Sequence, residues 1–251
     1  MILKDITILN TRPLPLALEL TQAIEKNGGR CVMLPSLQIM PLFNDIQEKV
    51  SQSFQESDIV LFTSQYAVDL ALQTSVQYNG LIGAVGRATA AAIKKKGLFV
   101  TLIPQEASTE GLLNLPELQK ICLKGKKITL FCGRGGRALL YETLIERGAM
   151  VNKVMLYERT LPTWTEAEYA NLIKTPIHLA LGLSVDSIVY FFSCLKPKEK
   201  IRFSNLPWLV MSSRVALQAK TMGIKTIHKV GHQTVLEAIE KLVQSQVLMP
   251  M

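Results

Sequence analysis

Apolar residues along this chain come in short runs that alternate with stretches where they recur every third or fourth position, so strands alternate with amphipathic helices. Residues 6–35, ITILNTRPLPLALELTQAIEKNGGRCVMLP, read as a strand, a turn, a helix, a glycine stop and a second strand, the pattern of a βαβ unit in a parallel sheet. Residues 126–157, KKITLFCGRGGRALLYETLIERGAMVNKVMLY, repeat that order, and Gly29 and Gly148 close corresponding helices 119 positions apart. Residues 58–72, DIVLFTSQYAVDLAL, resemble residues 177–191, IHLALGLSVDSIVYF, with Ser64 and Ser184 standing 120 positions apart. Residues 82–100 resemble residues 209–227, where Gly97 and Gly223 end matching helices. The chain is a duplicated set of βα units.

Units of this kind predict mostly parallel sheets covered by helices on both faces. Ligands of such sheets meet the carboxyl ends of the strands, where the following helices present free N–H groups. That edge holds Thr11, Arg12 and Pro13; Thr63 and Ser64; Gly86 and Arg87; Gly133 to Arg137; Leu183 and Ser184; and Ser212 to Arg214. Small, hydroxylic and arginine residues dominate it, a composition that suits an anion. The same residue types cap helices and shape turns in any α/β protein. GRGGR lacks the G-x-G-x-x-G spacing and no P-loop pattern occurs, so no nucleotide cofactor is expected.

Two proline-bearing segments, PSLQIMPL at 35–42 and LYERTLPTW at 156–164, each follow the second strand of a βαβ unit and read as extended connectors. They occupy equivalent places in the repeat. Side by side they would make a hinge between two domains, with a cleft between. A length of 251 residues suits two compact units.

Composition narrows the ligand. Lys and Arg number 28 against 20 Asp and Glu, a formal charge of +8 that invites a polyanion. Nucleic acid is not expected, because the basic run Lys94 to Lys96 ends a helix, where cations meet the helix dipole, and no aromatic residues interleave with basic ones. A small polycarboxylate fits the same charge. Cys31, Cys122, Cys132 and Cys194 form no CxxC pair and read as buried free thiols, while His178, His228 and His232 lack metal-ligand spacing, so no metal is expected. No stretch approaches the roughly 18 apolar residues of a membrane span, and MILKDITILN reads as a strand rather than a signal peptide, which leads us to expect a cytosolic protein.

Several segments, in order and spacing, resemble the uroporphyrinogen-III synthase family, especially its proteobacterial branch. They are TRP at 11–13, SDIVLFTSQYAV at 57–68, AVGRATAAAIKKKG at 84–97, STEGLLNLPEL at 108–118, GRGGRALLYETLIERGA at 133–149, YER at 157–159 and SSRVALQAKTMG at 212–223. The resemblance implies two flavodoxin-like α/β domains with parallel sheets, joined by a two-stranded β-ladder. One domain would comprise 1–36 with 165–251, and the other 37–164. It implies cyclisation of hydroxymethylbilane, with loss of water and inversion of the last pyrrole ring, and no cofactor.

Such an enzyme works mainly by positioning, which agrees with a sequence showing no nucleophile with adjacent base and no metal cluster. Tyr157 matches the family's tyrosine at this point and is the expected catalytic residue, a neutral phenol donating to the departing hydroxyl. The substrate's carboxylates are expected to meet Thr11 and Arg12, Thr63 and Ser64, Arg87, Ser108 and Thr109, Gly133 and Arg134, Ser184, and Ser213 and Arg214. Arg137, which falls one turn into a helix near Glu142, could equally pair with a neighbouring Glu, and Arg159 and Glu158 could simply flank each other. Cys132, Leu183 and Val215 depart from the family pattern, replacing an Arg and two Thr and removing three donors. A monomer is expected. The alternatives are a non-catalytic two-lobed protein that binds a small anion or tetrapyrrole, and an interaction module on the same fold.

Overall fold

A computed structural model describes residues 2–42, 46–136, 138–231 and 233–245. Arg137 and His232, both considered above, lie outside them. The chain divides into two compact units, one comprising Met1–Gln38 with Thr160–Met251, the other Ile39–Arg159.

The first half of the chain supplies β1 (Thr7–Asn10), α1 (Leu16–Lys26), β2 (Arg30–Met33), β3 (Gln38–Pro41), α2 (Gln47–Glu56), β4 (Ile59–Phe62), α3 (Gln65–Ala71), β5 (Leu81–Ala84), α4 (Arg87–Lys95) and α5 (Thr109–Leu113). The second half supplies α6 (Lys120–Leu123), β6 (Lys127–Gly133), α7 (Leu139–Glu146), β7 (Met150–Thr160), α8 (Glu166–Lys174), β8 (Leu179–Gly182) and α9 (Val185–Ser193). It ends with α10 (Pro197–Ser204), β9 (Pro207–Val210), α11 (Ser213–Thr221), β10 (Thr226–Lys229) and α12 (Val235–Gln244).

The repeats are exchanged between two five-stranded sheets. One runs β10-β9-β8-β1-β2, and the other β3-β7-β6-β4-β5. In the first, β1 pairs in parallel with β2 and β8; in the second, β6 pairs in parallel with its own half's β7 and with β4 of the first half. Each βαβ unit thus docks on the βα units of the other half, which is why a tandem repeat yields one discontinuous and one continuous unit. A parallel bridge between Gly83 and Leu102 extends the second sheet beyond β5, the place β10 occupies beside β9.

Central strands β1, β4 and β8 are buried at every residue, as strands covered on both faces must be. In the discontinuous unit one face gathers Trp208 with Phe191, Phe192 and Phe203, and the other gathers Leu179, Leu181 and Leu209 with Ile239 of α12. Phe191 meets Phe203 and Trp208 edge-on, with centroids 5.1 and 5.5 Å apart, an arrangement that adds about 1 kcal/mol per pair beyond area burial. The continuous unit stacks Phe62 on Phe131 at 5.1 Å on one face and packs Leu112, Leu118 and Leu144 on the other.

Helix boundaries follow local chemistry. Ser64, Ser108, Ser184 and Ser212 are N-caps whose hydroxyls accept the N–H three residues on, and Thr165 and Thr234 make full capping boxes with Glu168 and Glu237. The helix-closing glycine of the first unit is Gly28, at φ 87°, rather than Gly29; its counterpart Gly148 has φ 91°. Gly29 is small for another reason, since a Cβ there would stand 2.9 Å from Ile24 Cγ2. Gly28 and Gly148 are 120 positions apart, the spacing of Ser64 and Ser184.

The two connectors differ. Pro35 interrupts the first, so β2 and β3 are separate strands, whereas the first proline of the second is Pro162, and β7 runs unbroken for 11 residues. β3 lies beside β7, with Leu42 N–H bonded to Leu156 O at 3.0 Å. Residues 160–164 group with the discontinuous unit, because Trp164 donates Nε1–H to Pro35 O at 2.8 Å and packs 5.7 Å from Phe191. The thiols also differ from the buried set expected: Cys132 alone is buried, and Cys122 on the short helix α6 is exposed.

Candidate functional site

The carboxyl edge of the second sheet brings the ends of β4 and β6 against Tyr157 of β7. β7 carries one residue more than β6 here: Cys132 pairs with Met155 and Gly133 with Tyr157, skipping Leu156. This bulge breaks the alternation along the strand, so that Leu156 and Tyr157 enter the same core cluster as Val154. The Tyr157 ring lies against Gly133, where a Cβ would meet Cε2 and Cζ of the ring at 2.7 Å. Arg134 N–H, next along, donates to Tyr157 O at 2.7 Å.

Tyr157 is fully buried, 0% exposed. Its hydroxyl lies 2.9 Å from Ser64 Oγ and accepts a hydrogen bond from Arg159 Nη2 at 3.1 Å. The Arg159 guanidinium carbon lies 5.3 Å from the ring centroid, and Tyr66 meets the ring edge-on at 5.9 Å. Ser64 Oγ in turn accepts Ala67 N–H at 3.1 Å, which links the phenol to the start of α3. With Tyr157 Oη and Ser64 Oγ each already accepting an N–H, one hydroxyl proton is shared between them.

Other expected residues are placed differently. Thr11 is fully buried, and its hydroxyl donates to Leu181 O on β8, so its side chain ties two strands rather than reaching a ligand. Thr63 hydroxyl, half-buried, donates to Phe131 O at 3.3 Å. Arg12 follows as a half-buried residue whose N–H donates to Asn10 Oδ1 at 3.2 Å. Arg134 is exposed and pairs with Glu158 at 2.7 Å. Arg87 opens α4 after the N-cap Gly86 and is exposed.

Thr109 opens α5 behind its cap Ser108. Ser184 and Ser187 cap α9 reciprocally, at 3.0 and 3.1 Å. The cap of α11 is Ser212; Ser213 comes one residue later, exposed, with Lys229 Nζ 3.4 Å from its hydroxyl, and exposed Arg214 follows. Of the three departures, Cys132 and Val215 are buried and Leu183 packs against the core, so apolar contact occupies those positions. Burial pushes the Cys132 thiol up, against the pull of Lys153 and Arg159.

Arg159 is the residue that sequence reasoning missed. The signal was present, because positions two apart on a strand share a face, and Tyr157 and Arg159 are two apart. A groove of about 610 Å³ lined by Trp164, Tyr169, Cys194 and Lys196 contains none of the expected residues. Among the described residues no group of three or more His, Cys, Asp and Glu could hold a metal ion, and no helix is long and apolar enough to cross a membrane.

Comparison with known proteins bears on the family and the fold. The family described as uroporphyrinogen-III synthase HemD matches residues 19–235. Uroporphyrinogen-III synthase of Escherichia coli K12 is 28% identical, with 93% of this chain and 100% of that protein covered; that of Salmonella typhimurium is 29% identical with the same coverage. Among solved structures, a mutant uroporphyrinogen III synthase from the extremely thermophilic bacterium Thermus thermophilus superposes with a TM-score of 0.64 at 16% identity, covering 97% of this chain and 99% of that one. The uroporphyrinogen-III synthetase of Helicobacter pylori 26695 gives 0.62 at 17% identity, covering 96% and 99%. These structures share the α/β fold.

Proposed function

The chain belongs to the uroporphyrinogen-III synthase family, enzymes of tetrapyrrole biosynthesis, and from that premise we propose how its side chains carry out the reaction. Hydroxymethylbilane is a linear tetrapyrrole with carboxylate arms and a terminal hydroxymethyl group. The C–O bond of that group breaks, the hydroxyl leaves as water, the last ring inverts through a spiro intermediate, and the macrocycle closes as the type III isomer. Left alone, the substrate tends to close without inversion, so holding its two ends is the main task.

Tyr157 donates to the departing hydroxyl. Its phenol can give a proton or hydrogen bond while staying neutral beforehand. The observation that carries this role is the hydroxyl network at the strand edge, where Ser64 and Arg159 both contact Tyr157 Oη. Ser64 connects the phenol to a helix start, so charge developing on the phenol oxygen meets a stabilising partner there.

In the continuous unit, carboxylate arms meet backbone N–H groups at the starts of α4 and α7, together with exposed Arg87 and Arg134. The Arg134–Glu158 pair is no obstacle, since exposed ion pairs contribute only about 0–1 kcal/mol and open readily to a competing carboxylate. No cofactor enters the scheme. A cytoplasmic monomer completes it, because none of the proposed roles calls for a second copy or a lipid surface. Nothing in the comparisons favours a non-catalytic binding protein.

Incubating the purified protein with freshly generated hydroxymethylbilane and separating the product isomers tests the reading. Predominant type III product is expected, and type I at the uncatalysed rate would overturn it.

A further inference from the structure

Tyr157 has no exposed surface, and its hydroxyl is engaged by two side chains. A group in that state touches no substrate until something releases it. The half-buried Arg159 contacts the phenol twice, through Nη2 at 3.1 Å from the hydroxyl and through its guanidinium 5.3 Å from the ring centroid. Glu158, the acid between them in sequence, is held 2.7 Å from Arg134.

We propose that Arg159 is a positioning residue that latches Tyr157 in its closed place, and that a substrate carboxylate taking over the Arg159 guanidinium releases the phenol to the reacting end. The proposal rests on the role given to Tyr157 above. A guanidinium meets a carboxylate through two parallel, charge-assisted bonds, each stronger than the hydrogen bond that Nη2 gives the neutral phenol. The hydroxyl keeps Ser64 as a pivot throughout. Bound substrate thereby uncovers its own proton donor, and in the absence of a carboxylate the phenol stays covered.

The test places 3-fluorotyrosine at Tyr157 in the full chain and reads its fluorine resonance without and with anaerobic uroporphyrinogen III, the carboxylate-bearing product. In the parent protein the resonance is expected at a buried position, insensitive to a soluble paramagnetic quencher, and at an exposed, quenched position once the product is added. Arg159→Ala should show the exposed position without product, and Arg159→Lys, which keeps a donor but loses the planar fork, an intermediate one. Turnover supplies a second readout: Arg159→Ala should raise KM for hydroxymethylbilane more than it changes kcat, because the substrate carboxylate loses its guanidinium while the phenol is already uncovered.

A resonance in both Arg159 variants identical to the parent, or one that the product leaves unmoved in the parent, would overturn the latch. Full activity in Tyr157→Phe would instead remove the catalytic role of the phenol. The fluorine measurement needs no turnover, so the two failures are distinguishable.

Discussion

The hydroxyls of Ser64 and Tyr157 meet at 2.9 Å although 93 positions separate them in the chain. Ser64 therefore has two tasks, capping α3 through Ala67 N–H and contacting the phenol. Ser184, at the equivalent place in the other half, caps α9 through Ser187 N–H. Ser64→Ala and Ser184→Ala should each cost about 1 kcal/mol of stability, the worth of a serine cap. Ser64→Ala should in addition lower kcat about tenfold, less than the roughly 10²-fold or more contributed by a general acid itself, because Ser64 only supports the phenol, with KM nearly unchanged. Denaturant unfolding and steady-state kinetics on both variants check this. Equal kinetic losses in the two would reduce the Ser64 contact to a cap.

Gly133→Ala should be costly out of proportion to its size. The added methyl would stand 2.7 Å from two atoms of the Tyr157 ring, which is itself locked by Ser64 and Arg159. Overpacking of this kind costs about 1–3 kcal/mol. Thermal melting should show that loss, and turnover should fall with it because the ring is displaced. An unchanged melting temperature would mean the ring moves aside freely.

Thr11→Val should leave KM for hydroxymethylbilane alone and lower stability by about 1–3 kcal/mol, because the buried carbonyl of Leu181 loses its donor. A raised KM with unchanged stability would restore Thr11 to the ligand-facing role its sequence position suggested.

Tyr78 gives the continuous unit a sensitivity to base. Burial, and then the charge of Asp58, push its phenol up to about 12 from 10.0, while its hydroxyl donates to Ser57 O at 2.9 Å and its ring meets Phe54 edge-on. Between those two pH values the folded state holds a proton that the unfolded state has lost, so the contribution is complete below pH 10 and is lost as pH rises toward 12. Equilibrium unfolding followed from pH 9 to 12 should show the parent losing more stability than Tyr78→Phe above about pH 10. Parallel curves for the two would contradict the shift.

The βα repeats, the parallel sheets and the strand-edge loops were readable because periodicity, helix caps and glycine stops are local signals. What escaped were choices made by distant partners. Nothing adjacent to Thr11 announces that its hydroxyl is bonded across to Leu181, 170 positions on. Ser212 and Ser213 are chemically alike, and only the helix start decides which one caps. The bulge at Leu156 turned Tyr157 inward, whereas regular alternation from Val154 would have put it on the opposite face. The partners of Glu158 and Arg159 are likewise set beyond their immediate neighbours: Glu158 meets Arg134, 24 positions back, and Arg159 reaches the Tyr157 hydroxyl.

The Tyr157 hydroxyl is the centre of the account, and one comparison tests it most directly. Parent protein and Tyr157→Phe are each mixed with freshly generated hydroxymethylbilane, and the type III and type I products are separated and quantified over time. The account predicts a fall in type III formation of about 10²-fold for Tyr157→Phe, with type I rising as uncatalysed closure overtakes the enzyme and the fold intact by melting. Type III formation at the parent rate and purity by Tyr157→Phe would contradict it.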